Sequence, residues 1–191
     1  MAGLPRDGGP ARPVAVARAL LDAVVAYYAE HADPDDLDAP VPLPARRFVA
    51  GGEPRVVSWD TDAGQVHVAY ERTVGGRNPT AAQPPARLPR SDGANVGRLV
   101  RSVALEVQIV RPAPGLGQLR TLPTEQELDR HGIAIGNDLY HLERAVREAA
   151  KRGDLMREQI REATVIIGDC LSLGPSGSVA AVALGVTIPL Q

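Results

Sequence analysis

The sequence contains few of the residues that catalytic and metal sites commonly use. Cys170 is the only cysteine among 191 residues, which excludes an internal disulfide and any metal site built from several cysteines. Lys151 is the only lysine, and it follows Ala150 rather than the glycine of a Walker A motif. The 21 basic and 23 acidic residues nearly cancel, so we expect no bulk electrostatic attraction to nucleic acid.

Long apolar segments are also lacking. The first ten residues are rich in glycine and proline and contain no apolar stretch of about 7–15 residues, so we predict no signal peptide. The longest weakly polar run, Val179–Leu190, is shorter than the roughly 20 residues that span a bilayer. We therefore expect a soluble protein of a reducing compartment.

Hydrophobic periodicity predicts a single α+β domain over residues 1–191, with a loose N-terminal tail at 1–12. We expect a mainly antiparallel sheet of about four to six strands. It packs against an N-terminal helix and a long central helix, and a long hairpin loop or arm spans residues 75–98. The predicted helices are Pro13–His31 and Thr124 to about Arg152, with a short turn at Leu155–Ile160. The predicted strands are Arg47–Ala50, Val56–Trp59, Gln65–Val74, Leu99–Arg111, Thr164–Ser172 and Val179–Leu190.

The strand Leu99–Arg111 shows the clearest alternation. Its odd positions from Val103 to Ile109 are apolar, so one face packs and the other meets solvent or a neighbour. We expect it to pair with Gln65–Val74. In the last strand, Pro189 removes a backbone donor and favours an edge strand or a strand end. Gly174–Gly177 supplies a turn before it.

The long helix begins with a capping box at Thr124–Glu127. Gly132 and Gly136 interrupt its apolar stripe, so the helix either packs tightly there or breaks and restarts at Asp138. We favour one helix, because the stripe keeps its phase, and Gly153 suits the position just past its end.

No residue pattern predicts catalysis, a cofactor site or a metal site, and we expect no enzyme activity and no cofactor. The aspartates 33, 35, 36 and 38 lack the glycine and glutamate that a calcium loop requires. The four histidines lack metal-binding spacing. Cys170 lies within an apolar strand, where a cysteine is by default a small buried side chain.

One charge asymmetry indicates a partner contact. Between positions 72 and 101, six arginines face a single aspartate, Asp92. Solvated loop charge is one interpretation; the other is that an arginine-rich arm docks on an acidic surface, such as a neighbouring subunit. The candidate partner-contact residues are Arg72, Arg77, Arg87, Arg90, Arg98 and Arg101.

Several segments together resemble the tail terminator proteins of long-tailed phages that infect GC-rich actinobacteria. They are Leu43–Ala50 with Trp59–Asp60, the strand Val103–Arg111, the helix Leu139–Ala150, and Gly174–Gly177 with Val186–Leu190. The resemblance covers most of the chain, and its motifs are structural.

The resemblance implies a homo-oligomeric ring, commonly a hexamer, in the tail or neck of a virion assembled in the host cytoplasm. Its partners would be further copies of the chain, the tail tube protein and the head–tail connector, with no membrane. DNA would pass through the lumen without sequence-specific binding. An edge strand such as the one bearing Pro189 could add to a neighbour's sheet. Three alternatives stay open: another neck or head-closure protein, an enzyme using Cys170 or a histidine, and a monomeric binding module.

Overall fold

The structure is a computed structural model that describes residues 13–33, 35–51, 64–76, 100–114, 122–155, 165–176 and 179–190. The predicted tail at 1–12, the strand Val56–Trp59, positions 77–98 of the predicted arm and most of the turn Leu155–Ile160 lie outside these residues.

The described elements form an α+β fold, as predicted. The order of the five-stranded sheet is β1-β2-β3-β5-β4, with β1 parallel to β2 and every other pair antiparallel. The predicted pairing of β2 with β3 is thereby confirmed. The helices are α1 (Pro13–His31) and α2 (Glu125–Arg152), and the strands are β1 (Arg47–Ala50), β2 (Gln65–Gly76), β3 (Val100–Pro112), β4 (Ile166–Ser176) and β5 (Val179–Leu190).

Helix α2 confirms the sequence signals at both of its ends. The Thr124 hydroxyl accepts from the Glu127 backbone N–H at 3.3 Å, and the Glu127 carboxylate accepts from the Thr124 N–H at 2.8 Å. Gly153 adopts a left-handed conformation with φ of 78° just past the helix. The helix is continuous, and a Cβ at Gly132 or Gly136 would meet nothing within 4 Å. Tight packing therefore does not explain these two glycines.

Both helices pack on one face of the sheet. Alternate residues of β2, β3 and β5 point toward the helices, and the resulting core is fully buried. Burial of this kind contributes about 25 cal/mol for each Å² of apolar surface removed from water. The predicted stripe of β3 is confirmed as part of this core, which includes Leu20, Leu21, Tyr28, Val66, Val68, Val103, Leu105, Val107, Ile109, Leu142, Leu184 and Ile188.

Pro189 predicts either an edge strand or a strand end. The strand end is confirmed, because Pro189 is the penultimate residue of β5, whereas the edge position is wrong. β5 lies between β3 and β4. It is buried on both faces, with Leu184 toward the helices and Ala183 on the opposite side. Pro189 pairs with Ser102 of β3, but β4 ends opposite Thr187. Among the described residues, Pro189 therefore has a neighbouring strand on one side only, and a proline is tolerated there. Within the described part of the chain, the two edge strands are β1 and β4.

Two strand boundaries also differ from the predictions. β4 continues to Ser176, so Gly174 and Pro175 belong to the strand and not to a turn. The strand absorbs them as an irregularity, since two residues between Leu173 and Ser176 oppose one residue of β5. Likewise, β2 extends through Gly75 and Gly76, the first two positions of the predicted arm.

Candidate functional site

The structure places two of the six predicted partner-contact arginines on the central strands. Arg72 of β2 pairs with Ala104, and Arg101 of β3 pairs with Gly75 and Leu190. Arg77, Arg87, Arg90 and Arg98 lie outside the described residues. The predicted contact surface therefore stays a prediction.

A buried ion pair joins the sheet to α2. The Arg111 guanidinium binds Asp138 in two-pronged fashion, and its Nη2 lies 2.9 Å from Oδ1 of the carboxylate. The Tyr28 hydroxyl donates to the same carboxylate at 3.2 Å. Burial, followed by the negative charge of Asp138, raises the pKa of Tyr28 above its usual range. We call Arg111, Asp138 and Tyr28 the helix-side cluster.

Arg111 and the neighbouring Asn137 also hold the loop at 37–42, which lies between α1 and β1. Arg111 donates to the carbonyl oxygens of Pro42 at 3.2 Å and Val41 at 3.0 Å. Asn137 of α2 donates to the carbonyl oxygens of Leu37 and Ala39 at 2.8 and 2.9 Å. Every donor in this set points at a backbone carbonyl, so the arrangement positions the loop.

His141 completes the attachment of the loop. Its Nε2 lies 2.7 Å from the carbonyl oxygen of Asp38, and its Nδ1 lies 3.1 Å from the Tyr27 hydroxyl. Because a carbonyl only accepts, Nε2 donates to Asp38, and Nδ1 shares a hydrogen bond with the Tyr27 hydroxyl. His141 therefore binds α1 and the loop together. Among the described residues, no group of three histidine, cysteine or acidic side chains is arranged to hold a metal.

The opposite face of the sheet carries a second set of buried polar residues, which we call the far-side cluster. It comprises Gln65, His67, Ser102 and Gln108, each at most 2 % exposed. We expected this face of β3 to meet solvent or a neighbour, but Ser102, Ala104 and Gln108 on it are buried. In each of them, one polar atom finds no hydrogen-bond partner among the described residues; Nδ1 of His67 and Oγ of Ser102 are two of these atoms.

His67 is the titratable member of the far-side cluster. Burial lowers its pKa to about 4, because the charged ring loses its hydration. The Phe48 ring stacks on it with centroids 5.1 Å apart and planes 7° apart. At neutral pH the ring is therefore uncharged and held against β1.

A groove of about 610 Å³ lies between α2 and the edge strand β4. Tyr140, Glu143, Asp169 and Cys170 are among its lining residues. Burial, reinforced by Glu143 and Asp138, raises the pKa of the Cys170 thiol to about 11. The side chain is then a thiol at neutral pH, whereas a nucleophilic cysteine requires the thiolate.

Sequence reasoning missed the helix-side cluster, although α2 carried a signal for it. Asp138 lies three residues after Ile135 and four before Leu142, on the apolar stripe of the helix. A carboxylate at such a position is buried and needs a cationic partner. The sequence did not indicate that Arg111, at the end of β3, supplies it.

The chain matches no family model and no curated protein. In the part of the chain that the structure describes, neither helix combines the length and apolar character needed to cross a membrane.

Proposed function

We propose that this protein is a structural virion protein, a tail terminator whose ring ends the phage tail tube and joins it to the head connector. One observation carries the proposal: four of the segments that resemble such proteins contribute side chains to one hydrophobic core. Leu43–Ala50 contains β1, Val103–Arg111 lies in β3, Leu139–Ala150 lies in α2, and Val186–Leu190 ends β5. A set of separately matching segments thus corresponds to one packed unit.

The chemistry of the groove residue Cys170 also favours a structural role over the enzyme alternative. A pKa of about 11 leaves this thiol protonated at neutral pH. Arg111 and Asp138, which form the buried ion pair, bind each other. Their contacts hold a loop in place, which suits a scaffold for assembly.

Light scattering and electron microscopy of the purified protein, with and without tail tubes of its phage, test the proposal. We expect closed rings in solution or on one end of the tubes, and we expect added protein to stop tube elongation. A chain that stays monomeric and leaves tube ends bare and growing contradicts the proposal.

Binding order separates the terminator from the other neck proteins. A terminator binds the end of headless tail tubes, whereas a connector or head-closure protein binds filled heads before any tail is present. The same preparation should therefore be added to headless tubes and to tailless heads in parallel. Exclusive binding to heads would favour the connector function.

A further inference from the structure

Three members of the far-side cluster are neighbours on two adjacent strands. His67 is paired with Gln108 across β2 and β3, and Gln65 lies two residues before His67 on the same face of β2. Each of the three is 2 % exposed. Nε2 of Gln65, Nδ1 of His67 and Oε1 of Gln108 have no hydrogen-bond partner among the described residues. The register therefore brings together three buried residues whose polar atoms each need a partner.

The neighbour of Gln108 on its own strand fixes how the Gln108 amide is turned. Its Nε2 donates to the carboxylate of Glu106, which lies two residues earlier on the same face. Because the amide nitrogen is engaged there, the amide oxygen is the atom left to accept a hydrogen bond. The three residues thus offer an acceptor at Gln108 and a donor at Gln65.

His67 adds a nitrogen that carries no charge at neutral pH, because burial lowers the pKa of the ring to about 4. In a neutral imidazole, Nδ1 accepts a hydrogen bond when the proton is on Nε2 and donates one when it carries the proton itself. None of the three open atoms is charged, so they suit a neutral ligand better than an ion. That ligand must donate to Gln108 and accept from Gln65.

Water has this combination of properties. One molecule can donate to Gln108, accept from Gln65 and form either kind of hydrogen bond with Nδ1 of His67. Buried waters in proteins typically make about three hydrogen bonds to polar groups that would otherwise lack partners. Three open atoms on adjacent residues are therefore the number that a single buried water satisfies.

The residues around Gln108 are small. Ala183 is its neighbour on β5, while Ala69 and Gly185 are the neighbours of Glu106 on the two flanking strands. Ala69 and Ala183 are buried, although each side chain is a single methyl group. The amide of Gln108 thus borders positions that long side chains do not fill, which suits a ligand as small as water.

We infer that the far-side cluster binds one internal water molecule, which bridges β2 to β3 through Gln65, His67 and Gln108. The site lies within one chain, so the inference does not depend on the proposed function. The bridge would fix the His67 ring on which Phe48 of the edge strand β1 stacks. It would thereby connect three strands on the face of the sheet that the helices leave open.

A crystal structure of the full chain, at a resolution that shows ordered waters, tests the site. We expect the density of one water within about 2.7–3.2 Å of Nε2 of Gln65, Nδ1 of His67 and Oε1 of Gln108. Hydrogen bonds from these three atoms to another segment of the chain, to one another or to a buffer molecule would overturn the inference.

Oxygen-17 relaxation dispersion counts long-lived internal waters in solution and allows a matched comparison. Gln108→Leu removes the acceptor at similar side-chain size, so we expect one long-lived water fewer per chain than in the wild type. Gln126→Leu makes the same change at an exposed position of α2 and should keep the wild-type number. Circular dichroism establishes that both variants are folded. An unchanged number in folded Gln108→Leu contradicts the inference, and if this variant does not fold, the wild-type density decides.

Discussion

The two buried polar clusters lie on opposite faces of the same sheet and differ in one respect. In the helix-side cluster, the Asp138 carboxylate accepts from both Arg111 and Tyr28, and Nη1 and Nη2 of the guanidinium each donate to a loop carbonyl. In the far-side cluster, each of the four residues has a polar atom for which no described residue supplies a hydrogen-bond partner. Because removing one partner of a buried hydrogen bond costs about 1–3 kcal/mol, we expect truncations in the helix-side cluster to lower stability more than truncations in the far-side cluster.

The largest expected effect comes from breaking the helix-side cluster. Asp138→Ala leaves the Arg111 charge buried without a counter-ion, so we expect the free energy of unfolding to fall by about 3–5 kcal/mol. Urea denaturation followed by circular dichroism measures the change. In Asp138→Leu/Arg111→Met, neither charge is left alone, so this variant should be more stable than Asp138→Ala. Equal stability of the two variants would show that the ion pair is not the cause.

The next effect concerns pH and belongs to the far-side cluster. Burial lowers the pKa of folded His67 to about 4, below its usual 6.5 in an unfolded chain. The contribution of neutral His67 to the free energy of unfolding is therefore complete above about pH 6.5. It is lost as the pH falls toward 4, because the unfolded chain takes up the proton more readily than the folded protein. The non-titrating His67→Gln variant should lose less stability over this interval. Parallel stability curves for the two proteins would contradict a buried neutral His67.

The smallest expected effect contrasts two hydroxyls. Ser102→Ala removes an oxygen to which no described residue is hydrogen-bonded, so we expect stability to stay the same or rise. Thr124→Ala removes the helix cap and should cost about 1 kcal/mol. Thermal unfolding of both variants beside the wild type checks the pair. A clear loss in Ser102→Ala would mean that its hydroxyl is bonded in solution.

The local parts of the fold could be predicted because their signals are local. The cap at Thr124, the left-handed Gly153 and the alternation of Val103–Ile109 each depend on neighbouring residues. The place of β5 could not, because strand order depends on pairing between distant segments, and Pro189 indicated equally an edge strand or the strand end where it lies. The ion pair of Arg111 with Asp138 joins residues 27 positions apart, so sequence patterns marked only the need for a partner.

The way the loop at 37–42 is held has a consequence for its evolution. Arg111, Asn137 and His141 contact it through carbonyl oxygens, a group that every amino acid possesses. Substitutions in the loop can therefore accumulate while its path stays fixed, provided that the backbone angles are kept. The three donor side chains have no such freedom, because replacing them removes the hydrogen bonds. The loop surface can thus acquire new side chains, and hence new binding preferences, while its backbone keeps the same path.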